Sequence, residues 1–185
     1  MMMMAHIDSL ALIEAELWQQ LELASQQREH EWRTMALATV EGGEAQARSV
    51  LLREVDAAAH ELMFFTDSRA PKVAQLRAQP VGMLLCWSTR LGWQLRLRVR
   101  LEVDASGLQV SSRWARLKLT PAAQDYLSPL PPGSPVAMHY EPQRASREHF
   151  AVVTAKVLSA DWLELHADGH RRARFGPGGA QWLQP

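Results

Sequence analysis

The chain has 185 residues, of which 47% are hydrophobic and 22% are charged, a balance typical of a folded globular domain and unlike that of a disordered chain. Twenty basic and twenty acidic side chains give a formal net charge of zero, so no overall basic field favours nucleic-acid binding. Cys86 is the only cysteine, which excludes an intramolecular disulfide and fits a reducing compartment.

The N-terminal segment carries acidic residues where a signal peptide needs an uninterrupted apolar run, namely Asp8, Glu14 and Glu16. No other stretch of the sequence approaches the length of a membrane span. We therefore expect a single cytoplasmic domain over residues 1–185 that binds neither membrane nor nucleic acid.

Apolar residues at helical spacing predict an N-terminal helix over residues 8–29, with Asp8 as its cap. The pattern then changes to apolar and β-branched runs typical of strands, and the short segments EGGEA and DAAAH between them are typical of turns. The three predicted strands are residues 32–40, 46–55 and 61–66.

A short helix is predicted over residues 68–80. Pro71 suits its first turn, because that turn leaves its N–H groups unbonded in any case, and Pro80 ends it. The buried side of this helix would consist of Val73, Leu76 and Ala78.

The second half of the chain predicts further strands on either side of a helical segment at 107–127. Strand 93–103 alternates strictly, so its three arginines share the face opposite its apolar residues: Arg96, Arg98 and Arg100. Because the net charge is zero, we expect a solvated or carboxylate-paired face there, and not a nucleic-acid surface. The other predicted elements are a strand at 81–87, a proline-rich loop at 128–135, and closing strands at 149–166, 170–175 and 181–184.

Most turns are too short for parallel crossovers, so the sheet should be mainly antiparallel. The elements together predict a mainly β, α+β fold: a closed or partly closed barrel of about six antiparallel strands in Greek-key-like order, with small flanking helices. Its parts would be an N-terminal helix (1–30), a barrel core (31–103), a helical segment with the proline-rich loop (104–136), and closing strands (147–185).

The run RSVLLR places an arginine at each end of a buried strand, Arg48 and Arg53. Burying a guanidinium is costly unless an anion meets it, so the run indicates a bound anion. Alternatively, both arginines lie in water beside the strand, paired with Glu44 or Glu54. Positions 48 and 53 are five apart, and on a regular strand their side chains point to opposite faces.

The order of these motifs resembles the pyridoxamine 5′-phosphate oxidase family. The resemblance rests on RSVLLR, on FFTD followed by a lysine, on a short helix that ends at a proline, and on the later run W…GWQLRLR. It covers residues 30–103 closely and the C-terminal strands more loosely. It implies a split β-barrel that binds FMN, and a homodimer with each flavin at the subunit interface.

The resemblance also implies cofactor contacts. Arg48 would reach the FMN phosphate and ribityl end, and Lys72 matches a phosphate-binding lysine at the start of the short helix. Family members often have arginine directly before that lysine, where this chain has Pro71, and Arg69 is the candidate substitute. The candidate cofactor-binding residues are Arg48, Ser49, Val50, Leu51, Leu52, Arg53, Phe65, Thr66, Arg69, Lys72, Gln94 and Arg174.

Substrate contacts follow less completely from the resemblance. Arg53 takes the place of a lysine that, in the family, reaches the substrate phosphate. The run HRRARF can be aligned so that Arg174 matches the arginine that contacts the flavin. In this alignment the family's Arg-x-His substrate pair falls on His170 and Arg172. The Tyr and Arg that hold the substrate phosphate in the family have only stand-ins here, at Trp114 and Lys118. The candidate substrate-binding residues are Arg53, Lys118, His170 and Arg172, for a small anionic substrate.

The implied activity is oxidation of pyridoxine or pyridoxamine 5′-phosphate, with the flavin carrying the electron chemistry, so no catalytic side chain is required. A metal site is not expected, because His166 and His170 flank a turn with no evident third ligand. Two alternatives stay open. One is a member of the same fold acting on another substrate, such as a flavin reductase-like or stress-related protein, and the other is a module that binds flavin or haem without turnover.

Overall fold

The computed structural model describes residues 7–136 and 149–185. Its strands form one antiparallel sheet in the order β3-β2-β1-β4-β5-β6-β7-β8, and β3 also pairs with β6. The strands are β1 (Thr34–Glu41), β2 (Glu44–Asp56), β3 (Glu61–Asp67), β4 (Val81–Ser88), β5 (Trp93–Asp104), β6 (Phe150–Glu164), β7 (Arg171–Phe175) and β8 (Gln181–Leu183). The helices are α1 (Leu10–Gln26), α2 (Pro71–Ala78) and α3 (Leu108–Leu117), with 3-10 segments at Glu31–Arg33 and Pro121–Tyr126.

The β3–β6 pairing closes six of the strands into a barrel, and β7 and β8 extend the sheet beyond it. Strand β6 makes this possible because it is 15 residues long. Its first half pairs with β3 and its second half with β7, and the register on β5 shifts between the two halves, where Leu158 is the extra residue. The predicted fold class is therefore confirmed, with eight strands instead of about six.

Alternating side chains fill the barrel, and α1 packs against it through Ile13, Leu17 and Leu21. Three fully or nearly buried tryptophans contribute to this core, namely Trp32, Trp93 and Trp162. The Trp93 and Trp162 rings meet edge to face, 5.3 Å apart between centroids. Within the described ranges, no helix has the length and hydropathy needed to cross a membrane.

Two local predictions need correction. Helix α1 begins at Leu10 with Ser9 as its N-cap, because the Ser9 side chain accepts the Leu12 N–H, whereas Asp8 pairs with Arg171. On α2, Ala78 is exposed. It follows Leu76 by two positions, about 200° around a helix, so it faces away from the core. Gln75 is buried in its place.

A second, smaller core lies outside the barrel wall, where α3 and the segment Pro121–Tyr126 pack on β3 and β6. Its ring-bearing members are Phe65, Trp114, Tyr126 and Phe150, which we call the aromatic cluster. The helical segment predicted over residues 107–127 is present as two pieces, α3 and a 3-10 helix that begins at Pro121.

Candidate functional site

Two basic side chains converge where β1, β2, β3 and α2 meet. Arg48 donates from Nη1 to Thr39 Oγ1 at 2.6 Å and from Nη2 to Gln75 Oε1 at 2.7 Å. Lys72 donates from Nζ to Thr66 Oγ1 at 3.0 Å. We call these five residues the cationic cradle.

Each member of the cradle is placed by a local feature of the sequence. Pro71 begins α2, which puts Lys72 in the first turn and Gln75 almost one turn later on the same side of the helix. Thr39 follows Leu37 on the inward-facing side of β1, and Thr66 follows Phe64 on the inward-facing side of β3. Hydroxyl and amide oxygens thus face the two cations.

The positive charge of the cradle is not balanced by a direct ion pair. Across residues 7–136 and 149–185, no carboxylate lies within 4 Å of the Arg48 or Lys72 nitrogens. Glu41 bonds to Gln75, whose Nε2 donates to Glu41 Oε2 at 3.0 Å, and its charge acts on Arg48 from beyond ion-pair distance. Burial lowers the pKa of Lys72, and the charge of Arg48 lowers that pKa further. Such a site favours a bound anion.

Arg53 occupies a β-bulge of β2. Leu52 pairs with Phe64 and Glu54 pairs with Met63, so Arg53 is the extra residue between them. Its guanidinium lies over the Phe65 ring, 5.6 Å from the centroid. Arg53 therefore joins the aromatic cluster, separate from the cradle.

Arg69 does not join the cradle. Its Nε and Nη2 bind both oxygens of Asp67, at 3.0 and 2.7 Å, and the hydrogen bond to Asp67 raises the Arg69 pKa. Its nitrogens also donate to the carbonyl oxygens of Ser128 and Pro129, at 2.9 and 3.2 Å. The side chain holds the loop after Tyr126, and a contact of Arg69 with FMN stays a prediction.

The C-terminal candidates lie on β5, β7 and the turn between β6 and β7. Gln94 pairs with Trp87 of β4, whereas β1 next to Thr39 pairs with β4 at Met83, four residues or about 13 Å further along that strand. Arg174 pairs with Asp161 of β6, ten residues along β6 from Ala151, the register partner of Thr66. The structure does not bring these two residues to the cradle of the same chain.

Two of the substrate candidates have other partners. Arg172 binds both oxygens of Asp161, at 3.0 and 2.8 Å, and this raises the Arg172 pKa. His170 is exposed, and its Nδ1 accepts the His166 N–H at 3.3 Å. Lys118 is exposed at the end of α3. The substrate roles of these three residues stay predictions.

Sequence reasoning missed Thr39 and Gln75. A signal existed for each: Thr39 is a polar residue on the apolar face of its strand, and Gln75 lies three positions after Lys72 on a short helix. The described part of the chain contains no group of three or more metal-ligating side chains.

Comparison with known proteins agrees with this geometry. A family model described as pyridoxamine 5′-phosphate oxidase, FMN-binding domain, matches residues 15–104. A pyridoxine/pyridoxamine 5′-phosphate oxidase from Granulibacter bethesdensis is 31% identical over 168 residues, covering 81% of this chain and 78% of that protein.

Two solved structures share the fold. PhzG from Burkholderia lata, in complex with tetrahydrophenazine-1-carboxylic acid, matches with a TM-score of 0.75 at 15% identity, over 98% of each chain. A pyridoxamine 5′-phosphate oxidase-related, FMN binding protein from Nostoc punctiforme matches with a TM-score of 0.71 at 19% identity, over 98% of this chain and all of that one. The fold is thus the split barrel of these proteins.

Proposed function

Because the chain belongs to the pyridoxamine 5′-phosphate oxidase family of FMN-binding proteins, we propose that it is an FMN-dependent oxidoreductase acting on pyridoxine or pyridoxamine 5′-phosphate. The cationic cradle supports this best. It holds two partly buried cations without a direct carboxylate partner among the described residues.

FMN is the cofactor of the family, and the cradle has the chemistry that its phosphate requires. Arg48 and Lys72 would bind the phosphate oxygens, and the Thr66 hydroxyl would add a neutral donor. The strand from Ser49 to Leu52 would run along the flavin and bind it through backbone groups. Charge-assisted bonds of this kind are short and strong, so a dianion in the cradle would be held firmly.

The flavin supplies the hydride chemistry, so this chain's task is to bind, orient and exclude water. Rigid placement fits that task, because the Arg48 guanidinium is fixed by the hydrogen bonds that it donates to Thr39 of β1 and Gln75 of α2. No acid–base side chain is required for the reaction that we propose.

We propose further that the protein is a homodimer with FMN at its interface. Two large apolar side chains on the outer face of β4, Leu85 and Trp87, are 38% and 42% exposed. Gln94 is the register partner of Trp87, and Arg174 lies on the edge extension. A second subunit on this face would bring its own Gln94 and Arg174 to the cradle, which one chain cannot do.

For the substrate, the named relative favours a ring compound with a 5′-phosphate. Arg53 is the residue best placed to meet its anionic group, because it lies beside the aromatic cluster and has no carboxylate within 4 Å among the described residues. Arg172 would contact the substrate only after its ion pair with Asp161 breaks.

The test is a pair of measurements on the purified protein. We expect a yellow flavin spectrum or FMN uptake on titration, followed by anaerobic bleaching with pyridoxine or pyridoxamine 5′-phosphate. Flavin that stays oxidised with both substrates but is reduced by NADH or NADPH would favour a flavin reductase-like activity. Failure to bind FMN at all would contradict the proposal.

A further inference from the structure

A cavity lies between α1 and the barrel, and it shares no residue with the cationic cradle. Its volume is about 240 Å³. An apolar cavity of about 150 Å³ already holds a benzene ring, so this one has room for a substituted ring. The walls are apolar side chains from α1, β5 and β7, namely Leu17, Leu21, Leu95, Leu97 and Phe175.

The bulge of β6 forms one side of this cavity. Leu158 is the extra residue of the bulge, and it lines the cavity together with its neighbours Val157 and Ser159. A bulge bends its strand and re-aims side chains, and bulges are frequent beside functional sites. The Val157 N–H donates to the His60 carbonyl oxygen at 2.9 Å, which ties this side of the cavity to the turn between β2 and β3.

His60 lines the cavity from that turn in a strained backbone conformation. Its φ is 56°, and no other non-glycine residue within 7–136 and 149–185 has a positive φ. Glycine takes this conformation freely, whereas a side chain is disfavoured there. The imidazole stacks on Trp18 of α1, with 4.8 Å between ring centroids and 13° between the planes, and both rings line the cavity. Because strained residues concentrate at binding sites, the histidine ring at this position indicates a function.

Glu14 gives the cavity its charge. Glu14 and Trp18 are four positions apart on α1, so they lie on the same face of the helix. The described lining residues include no other carboxylate and no lysine or arginine. Among the residues that the structure describes, no side chain forms a hydrogen bond or ion pair with the Glu14 carboxylate. An unpaired carboxylate beside an apolar wall favours a ring compound that carries a protonated amine.

We propose that this cavity binds a small aromatic amine in its protonated form. The ring would lie among the leucines of α1 and β5, the ammonium group would meet Glu14, and the stacked rings of Trp18 and His60 would cover the ligand. The inference goes beyond the proposed function, because it uses none of the residues assigned to FMN or to the substrate. The charge of Glu14 repels anions, so this site selects ligands of the opposite charge to those that the cradle favours.

The experiment is calorimetry on the purified protein with three probes of similar shape: 2-phenylethylamine, 2-phenylethanol and phenylacetate. Mildly alkaline buffer keeps free imidazole neutral and the amine protonated. The variants are Glu14→Gln, His60→Gly and, as the matched control, Glu22→Gln, since Glu22 is exposed on the same helix and does not line the cavity. Circular dichroism and the melting temperature check that each variant is folded.

We expect the amine to bind about ten-fold more tightly than the alcohol, the usual effect of a hydrogen bond to a charged group, and phenylacetate to bind least. Glu14→Gln should remove the preference for the amine and leave the affinity for the alcohol unchanged, and Glu22→Gln should change neither. His60→Gly should weaken the amine and the alcohol alike without lowering the melting temperature, because glycine relieves the strain at positive φ.

The inference fails if no probe binds, if the amine binds no more tightly than the alcohol, or if Glu14→Gln keeps the full preference for the amine. Unchanged affinities in His60→Gly together with a lower melting temperature would show that the stack with Trp18 only stabilises the turn, which also contradicts the site. The flavin content of the same sample is measured separately. A protein that holds no FMN would contradict the proposed function and leave this test intact.

Discussion

The side chains of Arg48 and Arg53 lie on opposite sides of strand β2. The Arg48 guanidinium binds Thr39 and Gln75 in the cradle, whereas the Arg53 guanidinium lies over Phe65 in the aromatic cluster. Five positions separate the two residues, so the alternation of a regular strand predicts this separation, and β2 departs from that alternation only at the bulge on Arg53.

The first prediction follows from that separation. Arg48→Ala should weaken FMN binding by about 2–3 kcal/mol, the usual cost of losing a charge-assisted bond. Arg53→Ala should leave FMN affinity nearly unchanged and raise the KM for an anionic substrate. Titration of FMN into both flavin-free variants, followed by steady-state kinetics, measures both effects. If Arg53→Ala loses flavin as strongly as Arg48→Ala, both arginines serve the cofactor and the argument for an anionic substrate fails.

The second prediction concerns Gln75, which links Arg48 to Glu41 and also accepts the Thr39 hydroxyl at 2.8 Å. Gln75→Leu leaves the side-chain volume nearly unchanged but removes all three of these hydrogen bonds. We expect FMN affinity to fall by about 1–2 kcal/mol and the melting temperature to drop, because buried polar groups lose partners. Gln79→Leu is the matched control, since Gln79 is exposed at the end of the same helix. Equal effects of the two changes would contradict a positioning role for Gln75.

The strands and the cationic residues of the cradle could be predicted from the sequence because their signals are local. Arg48, Thr66 and Lys72 each lie in a short motif, and each motif forms one element. Thr39 could not be assigned in the same way, because its contact with Arg48 exists only once β1 pairs with β2.

Tyr126 was beyond sequence reasoning for a related reason. Its position depends on how the segment after α3 returns to the barrel, and the bulge at Arg53 is not indicated by any periodicity in the sequence. Trp114 and Lys118 were predicted together as substrate contacts. Trp114 packs in the aromatic cluster, whereas Lys118 is exposed at the end of α3. Long-range packing, and not local pattern, decides which side chains meet here.

The third prediction is a pH dependence. Burial and the charge of Arg48 lower the pKa of Lys72, so the flavin-free protein loses this positive charge at a lower pH than an ordinary lysine does. FMN affinity should therefore fall as the pH rises through that lowered pKa, before the ordinary range near about pH 10 is reached. Lys72→Arg keeps its charge throughout and should flatten the profile. FMN dissociation constants across alkaline pH measure this, and identical profiles for the two proteins would refute it.

The last prediction tests the proposed dimer through the exposed face of β4. Trp87→Asp places a charge where we expect a dry interface, and burying an unpaired carboxylate there would cost several kcal/mol. The variant should run as a monomer of 20.8 kDa in size-exclusion chromatography with light scattering, and it should also retain less FMN because the partner's contacts are lost. Leu12→Asp is the control, since Leu12 is 62% exposed on α1, which packs mainly against β2. A wild-type protein that is already monomeric while fully loaded with FMN would show that one chain completes the flavin site, and the roles proposed for Gln94 and Arg174 across an interface would then fail.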